Sequence, residues 1–202
     1  MDRRQRKSRA ALESALIALI ARKPYADITI EDVTAEADVA RATFYAHFKD
    51  KPTLLREATT SLIAGLTEVI GAVSSRSGTY SGAGVLAVFR HADAHRTLYR
   101  LILSGEGGED CRTRLIDALE GVATDVYSGM AEASGRPPRV PLAMATFGIV
   151  GAMVLTLEHW LRDEITSDPE EIAPQFSQTQ MRGIGWALGY EPDEMQFIPA
   201  AP

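Results

Sequence analysis

Hydrophobic residues along this 202-residue chain recur at intervals of three and four positions rather than two. Such spacing places apolar side chains on one face of an α-helix, whereas a half-buried β-strand would alternate apolar and polar residues. Runs of β-branched residues are also short. The pattern therefore predicts an all-α protein.

The first quarter of the chain contains three short helical patterns. A helix is expected over about residues 8–22 and ends near Pro24, because proline disfavours helical geometry in the residue before it. Two shorter helices follow at about 30–37 and 41–48, separated by Asp38 and Val39. Two helices of seven or eight residues joined by a tight turn are typical of a helix-turn-helix DNA-binding motif.

Local capping signals support this division. Thr29 and Asp32 have the spacing of a capping box, with Asp in place of the usual Glu, and predict the start of the second helix. Asp50 is the expected N-cap of a long fourth helix. Asp38 belongs to the few non-glycine residue types that tolerate the left-handed conformation of a tight turn. Ala40 provides no oxygen, so the third helix is expected to lack a side-chain N-cap.

Longer helices are predicted in the rest of the chain. Residues 74–84 are small and polar and predict a flexible connection. Helical periodicity then covers about 85–103, with an interruption near Asp93, and about 111–133, 141–164 and 169–188. The expected organisation is a helix-turn-helix domain over 1–52, a larger helical domain over 53–189, and a disordered tail over 190–202.

Charge is distributed unevenly along the chain. The whole sequence has 21 basic and 27 acidic residues, a net charge of -6. Residues 1–51 carry 10 Lys and Arg against 8 Asp and Glu, whereas 52–202 carry 11 against 19. Five basic residues lie among the first nine: Arg3, Arg4, Arg6, Lys7 and Arg9. This basic arm would suit DNA phosphates, although a frayed, solvated terminus would have the same composition.

Several protein classes are not expected because their sequence features are missing. Cys111 is the single cysteine and lacks metal-site spacing. No apolar segment of a signal peptide follows the basic arm, so a cytoplasmic location is expected. The longest apolar-rich stretch, residues 142–157, is 16 residues long, shorter than the roughly 20 that a membrane span needs. Nucleophile elbows, P-loops and dinucleotide fingerprints are absent, so neither an enzyme nor a cofactor is expected.

The helix predicted at about 41–48 carries the side chains that are candidates for DNA contact. Phe44 and Phe48 are four residues apart and can anchor its inner face. The guanidinium of Arg41 matches the acceptors at a guanine edge. Hydroxyl and imidazole groups that suit phosphate oxygens belong to Thr43, Tyr45 and His47.

Residues 28–55, ITIEDVTAEADVARATFYAHFKDKPTLL, resemble the TetR family of transcriptional regulators. The matching features are a helix begun by Thr29, a turn at 37–39, a Thr-Phe-Tyr-x-His-Phe segment at 43–48, and Lys51 followed by two leucines. The resemblance implies phosphate contacts from Thr29, Thr43, Tyr45, His47 and Lys51, and base contacts near Arg41, Ala42 and Ala46. The family's usual turn glycine and capping Ser or Thr are replaced by Asp38 and Ala40.

The C-terminal part resembles, more loosely, the regulatory domain of TetR regulators related to dihydroxyacetone-kinase regulators, through FRHADAHRTLYRLILS and HWLRDEITSDPEEIA. The resemblance implies a homodimer in which helices at about 141–164 and 169–188 pair with their symmetry mates. The first of these helices is apolar nearly all round, which agrees with a dimer, although an ordinary core helix would have the same composition.

The resemblance also implies that residues 53–189 form a ligand-binding and dimerisation domain. It implies a repressor that a small-molecule effector of unknown identity releases from a palindromic operator, although an activator, or a regulator without a ligand, would have the same sequence features. Candidate pocket residues are His95, Tyr99, Tyr127, Phe147, Met153 and Trp160, although core packing would explain the same residues.

The sequence also bears on a metal site, on the role of Cys111 and on an alternative function. His91 and His95 share a helical face, but the sequence places no third ligand, so a metal site is not expected. Cys111 lies beside Arg112 and Arg114 and is either a redox sensor or an ordinary cysteine. A helical protein-interaction module that has lost specific DNA binding is the alternative function, which the replacements at positions 38 and 40 would favour.

Overall fold

The computed structural model of the chain describes residues 3–74 and 82–190, and the regular elements within these two ranges are all helical. The all-α prediction is confirmed. The elements are α1 (Arg3–Ile20), a 3-10 helix (Tyr25–Asp27), α2 (Ile30–Glu36), α3 (Arg41–His47), α4 (Lys51–Ser74), α5 (Ala83–Ala94), α6 (Arg96–Leu103), α7 (Glu109–Ser134), α8 (Leu142–Leu161) and α9 (Pro169–Ala187).

Most predicted helix boundaries agree with the structure within two or three residues, and the differences are local. α1 begins at Arg3 rather than near Ser8, because Arg, Gln and Lys are good helix formers. The interruption expected near Asp93 occurs at His95, between α5 and α6. Residues 83 and 84 of the expected flexible connection are already helical, while 75–81 and the tail from 191 onward lie outside the described residues.

The capping box at the start of α2 is confirmed. The backbone amide of Asp32 donates to Thr29 Oγ1 at 3.1 Å, and the backbone amide of Thr29 donates to Asp32 Oδ2 at 2.8 Å. Lys23 Nζ also donates to Asp32 Oδ2 at 2.7 Å. The Lys23 ammonium and the donors of Thr29 hold the pKa of Asp32 well below its usual range.

The turn between α2 and α3 forms as its sequence predicts. Asp38 adopts the left-handed conformation with φ of 51°, and the amide of Val39 donates back to the Thr34 carbonyl at 3.0 Å. Ala40 gives α3 no side-chain cap, as expected. The N-cap role of Asp50 is confirmed, because the Thr53 amide donates to Asp50 Oδ1 at 2.8 Å.

Two compact units make up the chain. The first combines Met1–Ile63 with His95–Arg114, and the second combines Ala64–Ala94 with Leu115–Pro202. The division cuts α4 after Ile63, whereas the sequence predicts a boundary after residue 52; that boundary stays a prediction.

In the first unit, α1 packs against α2, α3 and α6. The predicted inner face of α3 is confirmed, since Phe44 and Phe48 are 0% and 1% exposed. Arg9 of α1 contributes to the same core: its guanidinium lies 5.5 Å from the Phe48 ring centroid and pairs with Glu13 and Glu57. These contacts fix the direction in which α3 presents its outer face.

In the second unit, α5 packs against α8 and α9 around an aromatic cluster. The Phe89 ring lies 5.3 Å from that of Trp160 and 6.1 Å from that of Phe176, both in edge-on arrangements. Trp160 Nε1 donates to the Ser167 carbonyl at 2.7 Å, and Arg90 of α5 pairs with Glu170 of α9 at 2.7 Å. These contacts hold the loop after α8 and the start of α9 on the unit's core.

Within the described residues, α8 is long and apolar enough to cross a membrane by length and composition. Buried core helices of soluble proteins satisfy the same criterion, and α8 has such a core face, formed by residues including Ile149, Met153 and Leu157. Its length and composition are therefore weak evidence for a membrane span.

Candidate nucleic-acid interface

α3 presents a buried face to the core and an accessible face to solvent. Phe44 points inward, whereas six other residues are exposed or partly exposed: Arg41, Ala42, Thr43, Tyr45, Ala46 and His47. Tyr45 is 50% exposed, which is unusual for an aromatic residue so close to a core. All six residues of α3 that the sequence assigned to DNA contact are therefore at least partly accessible.

Arg41 is held between two side chains at the start of α3. Its Nη1 pairs with Glu31 Oε1 of α2, and its Nη2 donates to the Tyr45 hydroxyl at 3.3 Å. The guanidinium carbon lies 5.7 Å from the Tyr45 ring centroid. Tyr45 and then Glu31 raise the pKa of Arg41, so the group stays cationic. Sequence reasoning did not identify Glu31, because its contact with Arg41 depends on the angle between α2 and α3.

His47 lies at the C-terminal end of α3 beside the start of α1. A hydrogen bond of 2.8 Å joins its Nε2 to Ser8 Oγ. Residues 3–9, which contain the basic arm, form the first turns of α1. Arg3, Arg4, Arg6 and Lys7 are exposed, whereas Arg9 is partly buried. The arm is therefore helical rather than frayed, and its exposed cations lie on the helix that contacts the end of α3.

Lys51 has a structural environment that the sequence did not indicate. Its Nζ donates to the carbonyl oxygens of Tyr25 at 2.7 Å and Ile28 at 2.6 Å, and it lies 4.3 Å from the Tyr25 ring centroid. Burial lowers the pKa of the ammonium. A phosphate contact by Lys51 stays a prediction, and it would have to share the ammonium with these carbonyls.

Thr29 is similarly engaged. Its hydroxyl donates to Asp32 Oδ2 at 2.8 Å while accepting from the Asp32 amide, although the residue itself is exposed. A phosphate contact from the Thr29 hydroxyl therefore also stays a prediction.

The expected pocket residues are divided between the two units. In the first unit, His95 is exposed at the break before α6, and Tyr99 is fully buried, which raises the pKa of its phenol. In the second unit, Tyr127, Met153 and Trp160 are buried, whereas Phe147 is 59% exposed. A pocket formed by these residues stays a prediction.

One buried group of the second unit was missed from the sequence. Ser177 of α9 is fully buried, and among the described residues its Oγ has no hydrogen-bond partner. Leaving a buried hydroxyl unsatisfied costs about 1–3 kcal/mol. A lone serine on a helix gives no sequence signal for such a position.

The described residues do not support a redox-active cysteine or a histidine metal site. Cys111 is buried at 2% exposure, which suits an ordinary core cysteine better than a redox sensor. Residues 3–74 and 82–190 contain no group of three or more side chains that could hold a metal ion.

The sequence is similar to known regulators over its helix-turn-helix region. A family model described as bacterial regulatory proteins, tetR family, matches residues 12–58. The uncharacterized HTH-type transcriptional regulator YxbF of Bacillus subtilis (strain 168) is 44% identical over 57 residues, which cover 28% of this chain and 15% of the relative. The match to this relative therefore spans a small part of either protein.

Solved structures are similar over most of the chain. The transcriptional regulator FadR of Bacillus subtilis, in complex with stearoyl-CoA, has a TM-score of 0.75 at 14% identity, covering 86% of this chain and 98% of that one. The dihydroxyacetone kinase operon activator DhaS has a TM-score of 0.61 at 14% identity, covering 88% and 96%. These similarities establish the fold. One of the two structures, DhaS, is a dihydroxyacetone kinase operon activator, and the C-terminal sequence resembles regulators related to that kind.

Proposed function

We propose that this chain is a cytoplasmic transcriptional regulator of the TetR family that binds double-stranded DNA as a homodimer. The match of residues 12–58 to the tetR family model supports the proposal. The observation that carries the proposal is the outer face of α3. This face combines an exposed guanidinium, an exposed phenol and small residues that allow close approach to a groove: Arg41, Tyr45, Ala42 and Ala46.

A second copy of the chain is the proposed partner of α8 and α9. α8 carries an exposed apolar stripe at positions 144, 147, 148, 151 and 155, which share one helical face. Its large members are 65%, 59% and 56% exposed: Met144, Phe147 and Leu155. Trp186 of α9 is 55% exposed. Exposed apolar side chains in such a stripe favour a protein partner.

The glycines of this stripe support close packing. A Cβ atom added to Gly148 or Gly151 would meet nothing within 4 Å, so both positions leave room for an approaching helix. α3 has only seven residues and can read only a few base pairs. A two-fold dimer would present two copies of α3 to two halves of a palindrome.

A small-molecule effector in the second unit is the proposed control, acting to release a repressor from its operator. The buried, unsatisfied hydroxyl of Ser177 supports a ligand that supplies a polar partner there. The FadR structure contains stearoyl-CoA, so this compound is the first probe to add to a protein–DNA complex. Dissociation of the protein–DNA complex when one equivalent of stearoyl-CoA is added would support an acyl-CoA effector. An unchanged complex would exclude stearoyl-CoA.

Selection from random-sequence DNA by the 202-residue chain tests the DNA-binding proposal without knowledge of the operator. The expected product is an inverted repeat whose half-sites lie one helical turn, or a multiple of it, apart. Recovery of no common sequence would contradict the proposal and favour the protein-interaction module, which the residues at positions 38 and 40 suggested.

A further inference from the structure

We infer that Glu31 is a specificity-determining residue that positions the guanidinium of Arg41 for base recognition. The inference rests on the proposed DNA-binding function and deepens it. Glu31 itself belongs to α2, and it acts through a residue of α3.

The guanidinium is constrained by two neighbours on different helices. Nη1 pairs with Glu31, Nη2 donates to Tyr45 Oη at 3.3 Å, and the guanidinium carbon lies 5.7 Å from the Tyr45 ring centroid. Contacts at both terminal nitrogens and over the ring restrict its rotation. The side chains of Glu31 and Arg41 are 60% and 59% exposed, so the constrained group remains at the surface.

The constrained guanidinium keeps donors for a base. A guanidinium has five N–H groups, and the contacts with Glu31 and Tyr45 occupy one at each terminal nitrogen. Three N–H groups remain, one on each terminal nitrogen and one on Nε, and a guanine edge offers two acceptors. A group that is already oriented loses less conformational freedom on binding, and a two-point contact benefits most because it requires one orientation.

The charge of Glu31 has a second, separate effect on DNA binding. A carboxylate beside the DNA-contacting face repels phosphates of every sequence alike. Glu31 therefore weakens sequence-independent binding while it supports one oriented base contact. The orientation of Arg41, and not the repulsion, raises the ratio of specific to non-specific affinity.

Binding by wild type, Glu31→Gln, Arg41→Ala and the double variant tests the inference. The DNA is the duplex that the wild type selects from a random pool, a set of its single-base-pair variants, and a scrambled duplex. Glu36→Gln is the matched control, because Glu36 also lies on α2, is exposed, and pairs with Arg22 at 2.6 Å. It makes the same change of charge without touching Arg41.

The expected result is that Glu31→Gln binds scrambled DNA more tightly and lowers the selected-to-scrambled affinity ratio about tenfold. The lost preference should fall on the base pairs at which Arg41→Ala also loses it. In the Arg41→Ala background the Glu31 substitution should leave the ratio unchanged, and Glu36→Gln should preserve it throughout. Loss of an exposed ion pair leaves the fold intact, which thermal melting would verify.

An equal change in both affinities for Glu31→Gln would overturn the inference, as would lost preference at base pairs that Arg41 does not affect. Failure of the proposed function itself is distinguishable, because the wild type would then select no sequence at all.

Discussion

Lys51 Nζ donates a hydrogen bond to the carbonyl oxygen of Ile28 at 2.6 Å. The same ammonium donates to the carbonyl oxygen of Tyr25 at 2.7 Å, so it contacts the first residue of the 3-10 helix Tyr25–Asp27 and the residue that follows this helix. The bond joins the start of α4 to the segment that enters α2. A single side chain thus links α4 to the 3-10 helix and to the short segment between that helix and α2.

Lys51→Met should lower the free energy of unfolding by about 1–3 kcal/mol, because partly buried carbonyls lose their donor while the aliphatic stem is kept. Urea unfolding at neutral pH measures this. Lys49→Met is the matched control, since Lys49 is exposed, and its effect should stay within about 0.5 kcal/mol. If Lys51→Met leaves the free energy of unfolding unchanged but weakens DNA binding, then Lys51 contacts DNA phosphate and does not stabilise the fold.

Arg41→Ala and Thr43→Val should have different effects on a panel of single-base-pair variants of the selected duplex. Loss of Arg41 should remove about 1–3 kcal/mol of preference at particular base pairs. Loss of the Thr43 hydroxyl should weaken binding to all members of the panel by a similar factor, as expected for a phosphate contact. Identical profiles for the two variants would contradict these assignments.

Replacing Arg3, Arg4 and Lys7 together by Ala should reduce the salt dependence of DNA binding. If all three meet phosphates, the slope of log affinity against log salt should fall by about 2.7. Arg182→Ala is a control, because Arg182 is exposed on α9. An unchanged slope in the triple variant would show that the first turns of α1 do not reach DNA.

Phe147→Glu should shift the protein from dimer toward monomer, because it places a charge in the apolar stripe of α8. Sedimentation equilibrium should then give 21.9 kDa instead of twice that mass. Val69→Glu makes the same kind of change at a 39% exposed position on α4 and should leave the dimer intact. A dimer that tolerates Phe147→Glu as well would place the interface elsewhere.

Asp32→Asn should destabilise the protein in a pH-dependent manner. The folded-state pKa of Asp32 is depressed, so its ionised form stabilises the fold above the unfolded pKa of about 4, and this contribution is lost as pH falls further. The difference in unfolding free energy between wild type and variant should therefore be constant from about pH 5 to 7 and shrink below about pH 4. A difference in unfolding free energy that does not vary with pH would show that the hydrogen bonds of Asp32 stabilise the fold independently of its negative charge.

Local signals predicted much of the fold. The capping box of Thr29 and Asp32, the N-cap Asp50 and the i,i+4 spacing of Phe44 and Phe48 involve residues at most four apart, so the sequence displays them directly. These signals were sufficient to locate the helix-turn-helix unit and the outer face of α3.

Contacts between elements were not predictable in the same way. Glu31 and Arg41 are 10 residues apart, Lys51 and Ile28 are 23, and Ser8 and His47 are 39. Each pair meets because of the angles at which helices cross, and those angles follow from packing rather than from periodicity. The accessible residues of α3 were therefore identified, whereas the residues that constrain them were not.

Fluorescence anisotropy with an inverted-repeat duplex from the random selection, at several salt concentrations, measures whether the protein binds DNA specifically and as a dimer. Two comparison duplexes are used: one has a single half-site scrambled, and the other has both half-sites scrambled. A dimeric DNA-binding regulator should bind with two protomers per duplex, bind much more weakly when one half-site is lost, and lose affinity steeply as the salt concentration rises. Equal affinity for all three duplexes at every salt concentration would contradict this prediction and favour a protein-interaction module.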